Sequence, residues 1–328
     1  MFDLTSRALA NAKKVEMKIK NKKLFTSMRE NTIAACKFYL HQASKSPFLP
    51  KLSRFTNKRL YSVGLGSALN RYNNSFTLYS AFADKKLYSD YRVNEKFLNF
   101  GSGAFFHSRW KNYDYPGQSL YYQNVQGKEG KDFFAIDLCE ENLKIPEDND
   151  SVALIYCSHT LEHLDKVSSL RFLTECFRIL KKDGVMRVAL PNTKNDFYLM
   201  RCLQAQSGAN KDIKRNYFLD AASEILTDAG KLDFDDLVEL LDKSQYESHL
   251  FYNNVIEKYP EKAIFSGKDP ERHINYWDFD HLIDVVTNIG FTCAIPTFQG
   301  SSIASPFTNL HVFDTTETHI SFYADIVK

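Results

Sequence analysis

Phe97-Leu98-Asn99-Phe100-Gly101-Ser102-Gly103 decides how the rest of the chain is read. An apolar run broken only by Asn99 stops at two glycines flanking a serine, the pattern of a buried strand entering a tight turn. Glycine lets the backbone come close to a ligand, and the amides of such a turn can face a carboxylate. Alone this signal is common, and Phe106 stands where a dinucleotide-binding fingerprint has its third glycine. The downstream segments give it meaning.

Similar apolar runs recur at Trp110 to Tyr115, Phe133 to Asp137, Val152 to Ser158, Val185 to Leu190, Phe291 to Phe298 and Ile320 to Val327. Between Ser158 and Val185, residues Leu161, Leu164, Leu170, Leu173, Phe177 and Leu180 follow a helical period that ends at Lys181-Lys182-Asp183-Gly184. A second helix is predicted from Asp278 to Asn288, stopped by Gly290. Strands alternating with helices predict an α/β fold with a mostly parallel sheet. The strands end in polar residues: one in Asp114, the next in Asp137-Leu138, a third in Ser158-His159. An acid at the second strand end can accept both ribose hydroxyls of a nucleoside, and an acid at the next can accept an adenine amino group. Each aspartate could instead be a helix cap or a turn residue, the less favoured reading.

The segment from Lys96 to Asn192 resembles the class I S-adenosylmethionine-dependent methyltransferases, and within them the type 11 group and its surface-polysaccharide-associated members. Phe97 to Gly103 resembles the glycine motif of their first strand, and Trp110 to Asp114 their second strand. Ser151 to Leu164 resembles the fourth-strand region, and Glu175 to Asn192 the helix and fifth strand. Arg272 to Tyr276 with the Phe291 strand resembles the C-terminal part. Ser102 replaces the usual cysteine, and Lys182-Asp183-Gly184 replaces proline-glycine-glycine. The resemblance implies a doubly wound, seven-stranded Rossmann-like fold with S-adenosyl-L-methionine as cofactor. It places that cofactor at Phe100, Gly101, Ser102, Gly103, Asp114, Asp137, Leu138 and Ser158. The acceptor it implies is a sugar hydroxyl of a surface glycan or its precursor, with small molecules, lipids and proteins left open.

His159-Thr160-Leu161-Glu162-His163 has metal-ligand spacing and matches a zinc-protease signature. Its place after a buried strand at a cofactor edge argues against a protease. Glu162 and His163 are read as hydrogen-bonding residues of a helix start, and no metal is expected. Since a hydroxyl acceptor calls for a general base, usually a histidine, His159, His163 and His273 are the catalytic candidates.

The domain division that follows is a basic N-terminal extension over 1–90, a core over 91–192 and 270–328, and a helical insertion over 193–269. Leu237, Leu240 and Leu241 mark the insertion, which suits a substrate lid or a structural cap equally. Residues 1 to about 45 have helix-forming composition, Pro47 and Pro50 then read as a linker, and 51–95 reads as irregular or short helical. The first sixty residues hold fourteen Lys or Arg against Asp3, Glu16 and Glu30, so residues 1–45 suit an anionic partner or membrane surface; no nucleic acid is expected. Six cysteines without a C-x-x-C pair fit a reduced, cytoplasmic compartment. Two rival functions share this pattern: a nicotinamide-dependent sugar oxidoreductase or epimerase, and a non-catalytic binding protein of the same fold. The first lacks any Tyr followed four residues later by Lys.

Overall fold

The computed structural model of the protein describes residues 48–70, 75–117, 123, 125–194, 234–245, 247–265 and 272–328. Most of the basic extension and much of the insertion therefore lie outside the described residues. Helix α1 (Phe48–Phe55) continues through turns at Thr56–Leu60 and Tyr61–Val63 into an antiparallel hairpin of β1 (Leu65–Asn70) and β2 (Ser75–Ser80), followed by α2 (Ala81–Lys86). The strand before the glycine turn is β3 (Lys96–Phe100). After it come β4 (Lys111–Asp114), β5 (Phe134–Ala135), β6 (Val152–Ser158), α3 (Lys166–Ile179) and β7 (Leu180–Pro191). The insertion contributes α4 (Phe234–Lys243) and α5 (Ser248–Lys258); α6 (Phe279–Ile289), β8 (Cys293–Thr297) and β9 (Ser321–Val327) complete the chain. Among the described residues no helix is long and apolar enough to cross a membrane.

Seven strands form one sheet in the order β5-β4-β3-β6-β7-β9-β8. The first five pair in parallel, and β9 runs antiparallel to both neighbours. This is the doubly wound, Rossmann-like arrangement expected from the sequence. Because β3 pairs with both β4 and β6, the winding reverses there, and a crevice opens beyond the carboxyl ends of these strands.

Helix boundaries follow local chemistry. The Asp165 side chain accepts the Ser168 amide at 2.8 Å and starts α3. Asp278 does the same for α6 through the His281 amide at 2.9 Å, and Gly290 (φ 114°) supplies the left-handed residue that ends it. Lys181-Lys182-Asp183-Gly184 does not cap α3 as expected. The helix stops at Ile179 and these residues form an irregular entry to β7, where Val152 pairs with Leu180 but Leu154 with Val185.

One face of the sheet buries α3 and α6 in an aliphatic layer around Ile155, Phe172, Leu173, Val188 and Leu282. On the other face, residues 51–95, read as irregular or short helical, hold short helices and also a β-hairpin that packs on the sheet. Tyr61, Tyr79 and Tyr88 join Phe97, Trp110, Tyr156, Phe307 and Phe313 in an aromatic layer on the sheet. The proposed linker is not one at Pro50, which is buried in the first turn of α1, a position proline tolerates; Pro47 lies outside the described residues. From Gly101 to Trp110 there are turns in place of a helix, so no helix dipole backs the glycine loop.

Arg187 on β7 is fully buried and joins this layer to the sheet. It donates to Asp314 at 2.6 Å, to Asp325 at 3.0 Å, to the carbonyls of Phe298 and Ser301 at 3.0 Å each, and to the Thr297 hydroxyl. Removing one member of a buried ion network strands the others, at a cost of about 3–5 kcal/mol. Arg187→Met is therefore expected to lower the unfolding free energy by about that amount in urea titrations. A loss below about 1 kcal/mol would show that the two carboxylates find other partners.

Candidate active site

Gly101 stands at the reversal of the sheet with φ 65°, and Gly103 follows with φ 50°. A Cβ built at Gly101 would run into the Thr160 hydroxyl oxygen, so both the left-handed backbone and this neighbour require glycine. Thr160 is placed by bonds from its hydroxyl to the carbonyls of Ser158 at 3.1 Å and Phe100 at 3.5 Å. A side chain at Gly101 would thus disturb the joint between β3 and β6 before any ligand is considered.

Asp114 organises the same loop. Its Oδ2 accepts the Gly103 amide at 2.7 Å and the Ser102 hydroxyl at 3.4 Å, while Oδ1 accepts the Tyr115 amide at 2.9 Å. Burial nevertheless raises its pKa above the usual carboxylate value, the hydrogen bonds only partly offsetting the desolvation. Asp137 also plays the turn role weighed for it, its Oδ1 accepting the Cys139 amide at 2.8 Å.

Two open clefts meet at Gly101. The first, about 680 Å³, is bounded by Ser102, Gly103, Ser158, His159, Thr315 and Thr316, with Tyr156 and Asn99 deeper in. The second, about 410 Å³, is bounded by Asp114, Tyr115, Ile136, Asp137, Leu138, Thr160 and His163, with Phe265 from the insertion on its wall. Gly101 to Gly103, Asp114, Asp137, Leu138 and Ser158 thus all border the crevice. Phe100 does not: its side chain is fully buried, stacked on Tyr113 and edge-on to Phe172, so only its backbone reaches the loop.

The histidines are arranged differently from the expectation of one helix face. His159 holds a left-handed backbone, φ 48°, and precedes a single 3₁₀ turn, Leu161–His163; α3 begins only at Lys166. A non-glycine residue in that region stores about 1–3 kcal/mol, a strain that tends to sit at functional positions. His159 Nε2 lies 2.8 Å from the Ser321 hydroxyl, and its Nδ1 lies 3.2 Å from Glu162 Oε1. His163 borders the second cleft instead, with His273 edge-on to it at 5.0 Å between ring centroids. Glu162 is buried, and its carboxylate meets imidazoles, His159 Nδ1 at 3.2 Å and His163 Nε2 at 3.9 Å from Oε1, with no hydrogen bond of good geometry to a helix-start amide. Burial acts to raise its pKa, but His159, His163 and His273 outweigh this and hold it down to about 2.

Thr160, Thr315, Thr316, Ser321 and Phe265 were not singled out from the sequence. Thr160 had a signal, since it directly follows His159 in the fourth-strand motif; the others arrive from the start of β9 and from distant loops that no local pattern links to the glycine turn.

With this geometry in place, comparison with known proteins becomes informative. Residues 111–188 match the type 11 family model described as a methyltransferase domain. The chain carries a methyltransferase domain. It is an S-adenosylmethionine-dependent methyltransferase, with S-adenosylmethionine as its cofactor. This disfavours the nicotinamide enzyme and the non-catalytic binding protein as alternatives.

Solved structures similar to this methyltransferase include a SAM-dependent methyltransferase from Archaeoglobus fulgidus, at 13% identity and TM-score 0.38, covering 75% of this chain and 93% of that one. Others are an S-adenosylmethionine-dependent methyltransferase from Mesorhizobium loti (10%, 0.35, 74% and 96%) and a SAM-dependent methyltransferase from Thermotoga maritima (11%, 0.34, 75% and 88%). A search of curated proteins finds no match.

Asp114→Ala is expected to weaken S-adenosylmethionine binding by about 1.5–3 kcal/mol, the scale of a hydrogen bond to a charged group. Calorimetry on Asp114→Ala and Asp114→Asn tests this, with circular dichroism confirming that the loop variants fold. Donor affinity within a few tenths of a kcal/mol of the parent would reduce Asp114 to a loop-shaping residue.

Proposed function

We propose that this methyltransferase O-methylates a sugar hydroxyl of a surface glycan or its nucleotide-linked precursor. The observation that carries the reading is the first cleft, whose wall joins the glycine loop to His159 and to the hydroxyl-bearing Thr315 and Thr316. A hydroxyl-rich acceptor suits a wall of hydrogen-bonding groups better than an apolar one does. On this reading Gly101 to Gly103 and Asp114 hold the two ends of the donor, and Asp137 and Leu138 border its base. A role for the insertion beside the second cleft is supported by Phe265, which stands on that wall.

Bound S-adenosylmethionine supplies a methyl group on a sulfonium for in-line transfer to a nucleophile. The chain's own contribution is orientation, exclusion of water and removal of one proton. The Glu162 carboxylate 3.2 Å from His159 Nδ1 favours a proton on that nitrogen, leaving the Nε2 lone pair toward the Ser321 hydroxyl and the cleft. An acceptor hydroxyl taking the place of Ser321 at Nε2 would lose its proton there as its oxygen gains the methyl. His163 and His273, on the second cleft and behind it, are less suited to this step.

The basic segment 1–45 lies outside the described residues; we read it as a contact for an anionic partner or membrane surface. Its removal is expected to leave donor affinity unchanged and to weaken co-sedimentation with vesicles rich in anionic lipid. Equal co-sedimentation of both forms would remove that role.

The acceptor and base are tested together. With labelled donor and a panel of nucleotide-linked sugars, the label should appear on a sugar oxygen located by mass spectrometry. His159→Ala and His159→Asn, the latter tolerant of the left-handed backbone, should keep donor affinity and lose roughly 10²–10⁴-fold in turnover. Label confined to nitrogen or carbon acceptors would overturn the O-methylation, and full turnover in both variants would remove His159 from the chemistry.

A further inference from the structure

A buried carboxylate is normally matched by donors that replace lost water, because leaving one bare costs several kcal/mol. Glu162 departs from this. Its side chain is 3% exposed, yet among the described residues the close polar neighbours of its carboxylate are imidazoles, His159 Nδ1 at 3.2 Å and His163 Nε2 at 3.9 Å from Oε1, and neither oxygen accepts a well-formed hydrogen bond. The backbone around it is fully engaged: the Glu162 carbonyl accepts the amides of Ile274 at 2.8 Å and Asn275 at 3.1 Å, fixing the segment that carries His273 against the 3₁₀ turn.

The orientation of His163 sharpens the point. Its Nδ1 lies 3.0 Å from the Arg272 carbonyl oxygen. A carbonyl can only accept, so Nδ1 carries the proton, and in the neutral ring Nε2 presents a lone pair. That Nε2 lies 3.9 Å from Glu162 Oε1, lone pair toward carboxylate, an arrangement that repels unless a proton or a metal cation lies between them. A histidine whose other nitrogen donates to a backbone carbonyl is also the usual outer arrangement of a metal-bound imidazole. One ligand atom each from Glu162, His163 and His273 lie within 4.8 Å of one another.

We propose that Glu162, His163 and His273 bind one divalent transition-metal ion. Two imidazoles and one carboxylate form a donor set suited to zinc and its neighbours, in preference to magnesium or calcium. Bonds of about 2.0–2.2 Å require the ligand atoms to close toward one another, which His163 and His273 can do because, unlike Glu162, both are only partly buried. The ion would neutralise Glu162 and clamp the 272–277 segment beside the second cleft. Spacing alone did not reveal this site because His273 comes from beyond the insertion. The inference does not depend on the acceptor.

The test uses the full chain, stripped with chelator, dialysed and titrated with Zn²⁺ and Co²⁺. Elemental analysis should find one ion per chain, and Co²⁺ should give visible d–d absorption. His163→Ala and His273→Ala should each weaken binding by more than the roughly 10–100-fold typical of losing an outer partner, whereas His311→Ala should not. Donor affinity, measured separately, keeps this result distinct from the methyltransferase reading. Absence of a stoichiometric ion in protein folded by circular dichroism would overturn the proposal and leave protonated histidine as the balance for Glu162. Binding unchanged in both folded histidine variants would overturn it as well.

Discussion

The joint between Gly101 and Thr160 is the constraint on which the crevice depends. β3 and β6 lie side by side, and each must turn away from the sheet at its carboxyl end without blocking the other. Gly101 does so by a left-handed turn with no side chain, and the Thr160 hydroxyl fills the space a Cβ would need. Asp114 then fastens the loop from the next strand through the Gly103 amide. Three adjacent strands therefore contribute one element each to the same small volume. The clefts on either side are consequences of that packing, since among the described residues only Gly101 borders both.

What was legible in the sequence was what short-range pattern encodes. The runs from Phe97, Val152 and Val185 became adjacent buried strands because a parallel strand covered on both faces shows continuous apolar character. Asp278 and Gly290 marked α6 because capping chemistry is local. The aromatic layer was not legible: Tyr61, Tyr79 and Tyr88 are spread over a helix turn, a hairpin and a loop, so no single period joins them. Phe100 was assigned to the cofactor by its neighbourhood in sequence, whereas the alternation of a strand sends its side chain into the aliphatic core. The histidine motif was misjudged for a related reason. Metal-ligand spacing places His159, Glu162 and His163 together only on a helix, but His159 breaks the helix geometry with its positive φ and so faces a different cleft from His163.

The replacement of a helix after the glycine loop by turns and aromatic packing has a physical consequence. In many nucleotide-binding folds a helix N-terminus supplies partial positive charge for an anionic group. Here the described residues offer separate backbone amides, and the Gly103 amide is already occupied by Asp114. Rigidity of the loop then rests on that carboxylate and on the aromatic layer beneath it, where Phe105 packs on Trp110 and Phe313. Substitutions in the N-terminal segment can therefore reach the loop through the packing of Tyr88 on Phe97, without touching the crevice itself.

The buried charges separate structural from functional demands. Arg187 is surrounded by acceptors from β8, β9 and the connecting loop. Asp84 is likewise satisfied: the Tyr61 hydroxyl, His107 Nε2 at 2.9 Å and Asn309 Nδ2 at 2.7 Å all meet its carboxylate. Burial pushes the Asp84 pKa up, but these partners outweigh it and bring the value below the usual one. Both groups join distant segments, and neither borders the two clefts at Gly101. Glu162 is buried to a similar degree but without such bonds, and it stands between His159 on one cleft and His163 on the other. Natural folds satisfy their buried charges and break that rule mainly where a site requires it. A chain able to satisfy Arg187 and Asp84 so fully, yet leaving Glu162 ringed by imidazoles, has its unbalanced charge at the crevice, where a cation or a moving proton has work to do.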